Sequence, residues 1–122
     1  MTKLSIPILL GSCRIGRESL KVAKFILAEL VEQDRIETEL IDLAEYKLPM
    51  LEERLEDSSN PPENVLKFCS KLGQADVILL VTPEYKNGYP GVLKNALDYL
   101  EPKALKYKPI GICSCLLYTS DA

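Results

Sequence analysis

The stretch Leu4-Ser-Ile-Pro-Ile-Leu-Leu-Gly-Ser-Cys-Arg-Ile-Gly-Arg-Glu-Ser19 decides the fold. Its first half is a short apolar run that stops at Gly11-Ser12, the pattern of a buried strand. Pro7 has no N–H to give a ladder, so the paired strand is expected mostly after it. Beyond Ser19 the period changes. Ala23, Ile26, Leu27, Leu30 and Val31 recur at helical spacing and form one apolar stripe. Ser19 suits the N-cap of that helix, where a hydroxyl accepts from a first-turn N–H. A loop between a strand end and a helix start gathers unpaired N–H groups at the positive end of the helix dipole, which makes an anion site. Ser12 and Ser19 add hydroxyls, and Arg14 and Arg17 add planar guanidinium forks that match phosphate. Taken alone, the loop also suits a Gly/Ser turn with solvated arginines.

Working outward, Ile36-Glu-Thr-Glu-Leu-Ile-Asp42 alternates apolar and polar residues, as a strand with one wetter face near a sheet edge does. Residues 43–62 are loop-rich, with an apolar corner at Leu48-Pro49-Met50 and a turn cluster from Asp57 to Pro62. A helix is predicted from about Pro62 to Gln74, with Val65, Phe68, Cys69 and Leu72 on one stripe and Pro62 in its first turn. Ala75 to Thr82 is the clearest buried strand. Another helix begins near Gly91, with Leu93, Ala96, Leu97 and Leu100 inward, and Pro109 to Ser114 starts a fourth strand. Strands alternating with amphipathic helices force parallel pairing in a three-layer α/β domain.

Composition removes several classes of function. A chain of 122 residues is one domain. Its net charge of −3 and lack of a basic block argue against nucleic acid as a partner. No apolar run approaches the ~20 residues of a membrane span. Met1-Thr2-Lys3 leads directly into a strand without a signal peptide, and the four cysteines, Cys13, Cys69, Cys113 and Cys115, read as reduced, buried or half-buried thiols. A cytoplasmic location is expected. There is no histidine and no CxxC pair, so no metal site is expected, and the commonest general base is missing. No catalytic side chain is therefore named. Two familiar phosphate loops can be tested directly. GxGxxG is absent. The Gly11–Gly16 spacing fits G-x4-G-K-[ST], but Arg17 and Glu18 replace the Lys and the hydroxyl, which disfavours a nucleoside triphosphatase.

A second constellation follows the third strand: Thr82-Pro-Glu-Tyr-Lys-Asn-Gly-Tyr-Pro-Gly-Val-Leu-Lys-Asn-Ala-Leu-Asp98. Pro83 and Tyr85 supply stiffness and area for a planar ligand, and the amides after Pro83 could meet a heteroaromatic edge. The plainer alternative is a turn-rich loop whose tyrosines pack. Together, Gly11-Ser-x-Arg-x-Gly-Arg-x-Ser19, Thr82-Pro-Glu-Tyr85 and Gly88-Tyr-Pro-Gly-Val-Leu-Lys-Asn-Ala-Leu-Asp98 resemble the NADPH-dependent FMN reductase family, which includes azoreductases and quinone and chromate reductases. The resemblance covers roughly residues 3–114. It implies a flavodoxin-like, doubly wound parallel sheet of order 2-1-3-4-(5), with strand five and the last helices missing.

The resemblance also implies roles. Ser12, Arg14 and Ser19 would hold the FMN phosphate, with Arg17 in the same loop. Pro83, Glu84 and Tyr85 would line the isoalloxazine ring, with Asn87 and Gly88 nearby. NAD(P)H would be the co-substrate, and a quinone, an azo compound or free flavin the small-molecule acceptor. Lys86 stands where the family usually has Asn. Cys13 is read as packing, and Lys94 with Asp98 as a surface pair on a helix that helps form a dimer in relatives; the complete protein is expected to be a homodimer or homotetramer. The alternative functions are a non-catalytic FMN-binding electron-transfer protein and a truncated fragment without activity.

After Ser114 the chain reads Cys115-Leu-Leu-Tyr-Thr-Ser-Asp-Ala122, with no glycine for a close approach to a flavin. These residues look like the translation of a sequencing adapter. Residues 1–114 are thus expected to be an incomplete FMN-binding domain and 115–122 a non-native tail, with apolar surface exposed beside strand four.

Overall fold

A computed structural model describes residues 2–115. The first predicted strand is divided at Pro7 into β1 (Leu4–Ser5) and β2 (Ile8–Leu10). The second is divided likewise into β3 (Ile36–Glu37) and β4 (Leu40–Asp42). β1 pairs with β3, and β2 pairs with β4, all in parallel. The break has a local cause. The Ile6 and Ile8 N–H groups keep their bonds to the Glu37 and Glu39 carbonyls, but the Ile6 carbonyl is taken by the Thr38 hydroxyl at 2.7 Å in place of a ladder N–H.

The third strand is β5 (Ile78–Pro83) and the fourth β6 (Ile110–Cys115). The main sheet has the order β4-β2-β5-β6. Counting each divided strand as one gives 2-1-3-4, the flavodoxin-like arrangement. The winding reverses beside β2. β6 includes Cys115, paired with Pro83, while residues 116–122 of the expected tail lie outside the described residues.

Helices cover both faces. α1 (Ser19–Val31) packs Ala23, Ile26, Leu27 and Leu30 against Ile8, Leu10 and Val81. Val31, predicted on that stripe, is instead exposed, because the helix ends at it. On the other face, α3 (Glu63–Gly73) and α4 (Gly91–Asp98) pack Phe68, Leu72, Leu93 and Ala96 against Leu9, Ile41 and Ile78. Successive residues of β2 serve opposite layers, so Ile8, Leu9 and Leu10 are all buried. Pro62 and Pro90 stand one residue before α3 and α4, and each lends its carbonyl to the first turn. The loop-rich stretch after residue 42 contains a short α2 (Leu43–Tyr46) and a 3-10 turn, and α5 (Pro102–Leu105) leads to β6. Among the described residues, β6 is an edge, and Ile110 and Ile112 are exposed on it. No described helix is long and apolar enough to cross a membrane.

Phe68 is fully buried in the α3–α4 layer, edge-on to Tyr46 with ring centroids 5.9 Å apart. Phe68→Ala is expected to cost roughly 3–5 kcal/mol. A urea melt with an unchanged midpoint would show that this layer is not the core.

Candidate functional site

The two loops singled out in the sequence leave neighbouring strand ends. Leu10 is in register with Val81 on one side and Asp42 on the other, and the Gly11 N–H donates to the Val81 carbonyl at 2.9 Å. The crevice therefore lies outside the carboxyl ends of β4, β2 and β5, where the winding reverses, as expected for a doubly wound sheet. Gly11 lets the first loop start flat against α4. A Cβ there would come within 3.0 Å of Leu93 Cδ2.

The loop then turns through Gly16, at φ +78°. Ser12 and Ser19, seven residues apart, meet with 2.7 Å between their hydroxyl oxygens, and both are buried. One hydroxyl donates to the other, so one proton of the pair stays available to an anion. Ser19 is not the N-cap predicted from its position. It is the first residue of α1, Glu18 takes the cap position without a side-chain bond, and the Ser19 hydroxyl is engaged by Ser12. Among the described residues, the N–H groups of Ser12 through Gly16 reach no backbone carbonyl. Consecutive open amides beside a helix start make a concavity suited to an anion.

The cationic residues divide. Arg14 is exposed, and among the described residues its side chain makes only a 3.3 Å contact to the Ile15 carbonyl. Arg17 points the other way. Its guanidinium donates to the Ser12 carbonyl at 2.5 Å and to Asp42 Oδ2 at 2.6 Å, with both side chains of the ion pair about nine-tenths buried. The sequence suggested two arginines facing the anion; the structure presents Arg14 and turns Arg17 inward. Cys13, expected to pack, is exposed on the same loop, since the turn directs residues 13–16 to solvent.

The second loop is a small hairpin. Tyr85 and Gly88 exchange backbone hydrogen bonds of 2.8 and 3.0 Å across Lys86 and Asn87. Both turn residues are left-handed, at φ 53° and 65°. Pro83, Glu84 and Tyr85 are half-buried, whereas Lys86, Asn87 and Gly88 are exposed. Tyr85 Oη is buried without a hydrogen-bond partner among the described residues. Behind the loop, buried Asn95 accepts from the Leu51 N–H and donates to the Pro49 carbonyl, and the Tyr99 hydroxyl donates to the same carbonyl at 2.7 Å. α4 thus pins the apolar corner predicted at residues 48–50. Lys94 donates to the Asp98 carboxylate on its exposed side.

Sequence reasoning missed Asp42 and the strut role of Asn95. An acid closing an otherwise apolar strand, just before a helix start, was the available signal for Asp42. Partly open concavities of about 130 and 180 Å³ lie elsewhere, between Leu51 and Pro102 and around Pro7. They are smaller than typical ligand clefts of ~300–1,000 Å³ and touch neither loop. The chemistry of the crevice makes it the candidate over these smaller spaces.

The family model described as NADPH-dependent FMN reductase matches residues 4–119. An FMN-dependent NADPH-azoreductase of Staphylococcus haemolyticus is 32% identical over 111 residues, covering 86% of this chain and 56% of that protein. The Staphylococcus aureus azoreductase is 33% identical over 111 residues with the same coverage. The chain thus spans just over half the length of these curated relatives. Among solved structures, an apo NADH:FMN oxidoreductase matches with TM-score 0.72 and 25% identity over 88% of this chain and 56% of its own. The NAD(P)H:(acceptor) oxidoreductase FerB of Paracoccus denitrificans matches with TM-score 0.71 and 30% identity over 91% and 60%.

The hairpin carries a lysine where the backbone favours Asn or Gly. Lys86→Asn is expected to stabilise the fold by on the order of 1 kcal/mol, by relieving the left-handed backbone. Thermal unfolding reads this directly, and an equal or lower midpoint would rule out the strained turn.

Proposed function

Because the chain belongs to the NADPH-dependent FMN reductase family, we propose that the whole protein is an FMN-dependent NAD(P)H oxidoreductase. It passes electrons from NAD(P)H through FMN to a small acceptor such as a quinone, an azo compound or free flavin. The observation that carries this reading is the first loop, where open amides, a buried hydroxyl pair and exposed Arg14 converge at a helix start. These donors fit a phosphate monoester. The FMN, when bound, supplies the hydride and electron chemistry.

The chain's own residues bind and orient. Ser12, Ser19 and Arg14 hold the phosphate. Pro83, Glu84 and Tyr85, at the end of the adjacent strand, form one wall for the ring, with Asn87 and Gly88 at its rim. The hairpin bonds between Tyr85 and Gly88 keep that wall in one shape. Residues 1–114 are read as part of this FMN-binding domain, in a cytoplasmic protein that works as a homodimer or homotetramer.

Two measurements on the whole protein test the proposal. Arg14→Ala is expected to weaken FMN binding by roughly 1.5–3 kcal/mol, the loss of a charge-assisted contact. An unchanged FMN dissociation constant would remove the phosphate from this loop. NAD(P)H oxidation with a quinone is expected to follow ping-pong kinetics, because one flavin serves the two substrates in turn. Intersecting double-reciprocal lines would count against one flavin serving both substrates in turn, and no NAD(P)H oxidation at all would count against the reductase and favour an electron carrier.

A further inference from the structure

We infer that Arg17 is a positioning residue, which shapes the phosphate loop from behind through Asp42 and does not touch the phosphate. The inference rests on the reading of that loop as the FMN phosphate site and assigns a division of labour within it. Three contacts carry it. The Arg17 guanidinium donates one N–H to the Ser12 carbonyl and another to Asp42 Oδ2. The other oxygen of Asp42 accepts from the Ala44 N–H at 2.9 Å, which caps α2. Asp42 is also the last residue of β4, in register with Leu10, from which the loop departs. The loop, the second strand and α2 are therefore joined at one guanidinium.

The geometry suits this task and not ligation. Both members of the pair are about nine-tenths buried, so moving Arg17 out to an anion would leave Asp42 charged, buried and unpaired. A planar fork can hold a carboxylate and a carbonyl at once, which a lysine ammonium does less well. Drawing the Ser12 carbonyl toward the guanidinium keeps that oxygen, a repulsive neighbour for phosphate, engaged on the inner side. It also fixes Ser12, whose hydroxyl meets Ser19. Gly16 supplies the left-handed turn that brings Arg17 back under the loop. A loop held in its binding shape before the ligand arrives avoids the entropy of ordering it afterwards.

Asp42→Asn is the decisive variant, because its one carbonyl oxygen can keep the bond from the Ala44 N–H, while the amide nitrogen, a donor, replaces the charged oxygen that accepts from Arg17. If Arg17 positions the loop, Asp42→Asn weakens FMN about tenfold or more and leaves riboflavin binding, which has no phosphate, nearly unchanged. The double variant Arg17→Met/Asp42→Asn is then no weaker than Arg17→Met alone. If Arg17 is instead a ligand restrained by Asp42, deleting the carboxylate frees a cation and FMN binds more tightly; that result overturns the inference. In the unliganded protein, both single variants should raise amide hydrogen exchange across residues 12–17, and unchanged exchange would also overturn it. Nitrogen NMR of the unaltered protein gives a reading that needs no variant to fold. On adding FMN, the Arg14 guanidinium signal should shift and that of Arg17 should stay, and an Arg17 shift as large as that of Arg14 overturns the assignment. Failure of Arg14→Ala to weaken FMN would remove the loop reading itself, which keeps the two failures distinct.

Discussion

Everything in this molecule depends on the burial of three residues, Ile8, Leu9 and Leu10, in a strand paired in parallel on both sides. A strand in that position must be apolar on both faces, and alternate residues supply the two helical layers. Among the described residues, its end is where the chain leaves the sheet between two neighbours wound in opposite senses. The loop after Leu10 is thereby set beside the end of β5 on one side and the end of β4 on the other. A one-residue slip of β2 would exchange the two layers and carry the loop out of line with both neighbours.

From that constraint the crevice follows. The first loop can be thin because Gly11 allows contact with Leu93, and it can expose its amides because it belongs to no ladder. Charge is distributed by depth. Arg14 stays in solvent, where a charged ligand can reach it, while Arg17 is neutralised by Asp42 inside the fold. The loop therefore presents one exposed cation, while the second is paired with Asp42 inside the fold. The second loop is stiffened differently, by a two-residue hairpin whose backbone conformation is unfavourable for the lysine it contains.

The architecture is shared with solved neighbours, and the family match spans nearly the whole chain. The chain covers little more than half of its curated relatives, so the crevice described is built from part of the length those proteins use. Exposed Ile110 and Ile112 on β6 are the main apolar surface at the open side of the described sheet.

The strand and helix pattern, the order 2-1-3-4 and the placing of the two loops at the ends of adjacent strands were legible in the sequence. Apolar period and glycine spacing are local properties, and parallel connections leave few topologies. The direction of each polar side chain was not legible. Arg14 and Arg17 are three residues apart in one loop and equally suited to phosphate on paper. Only the folded chain sets Asp42 beside Arg17, twenty-five residues away in sequence, because that requires β4 to lie in register with β2. The same holds for Ser19, which local rules make a helix cap and tertiary contact makes the partner of Ser12. The sequence by itself determined which segments are strands, helices and turns, since these depend on neighbours a few residues away. Tertiary structure alone decided which arginine of the first loop is exposed and which is paired inside the fold, because a charge goes to the nearest partner in space.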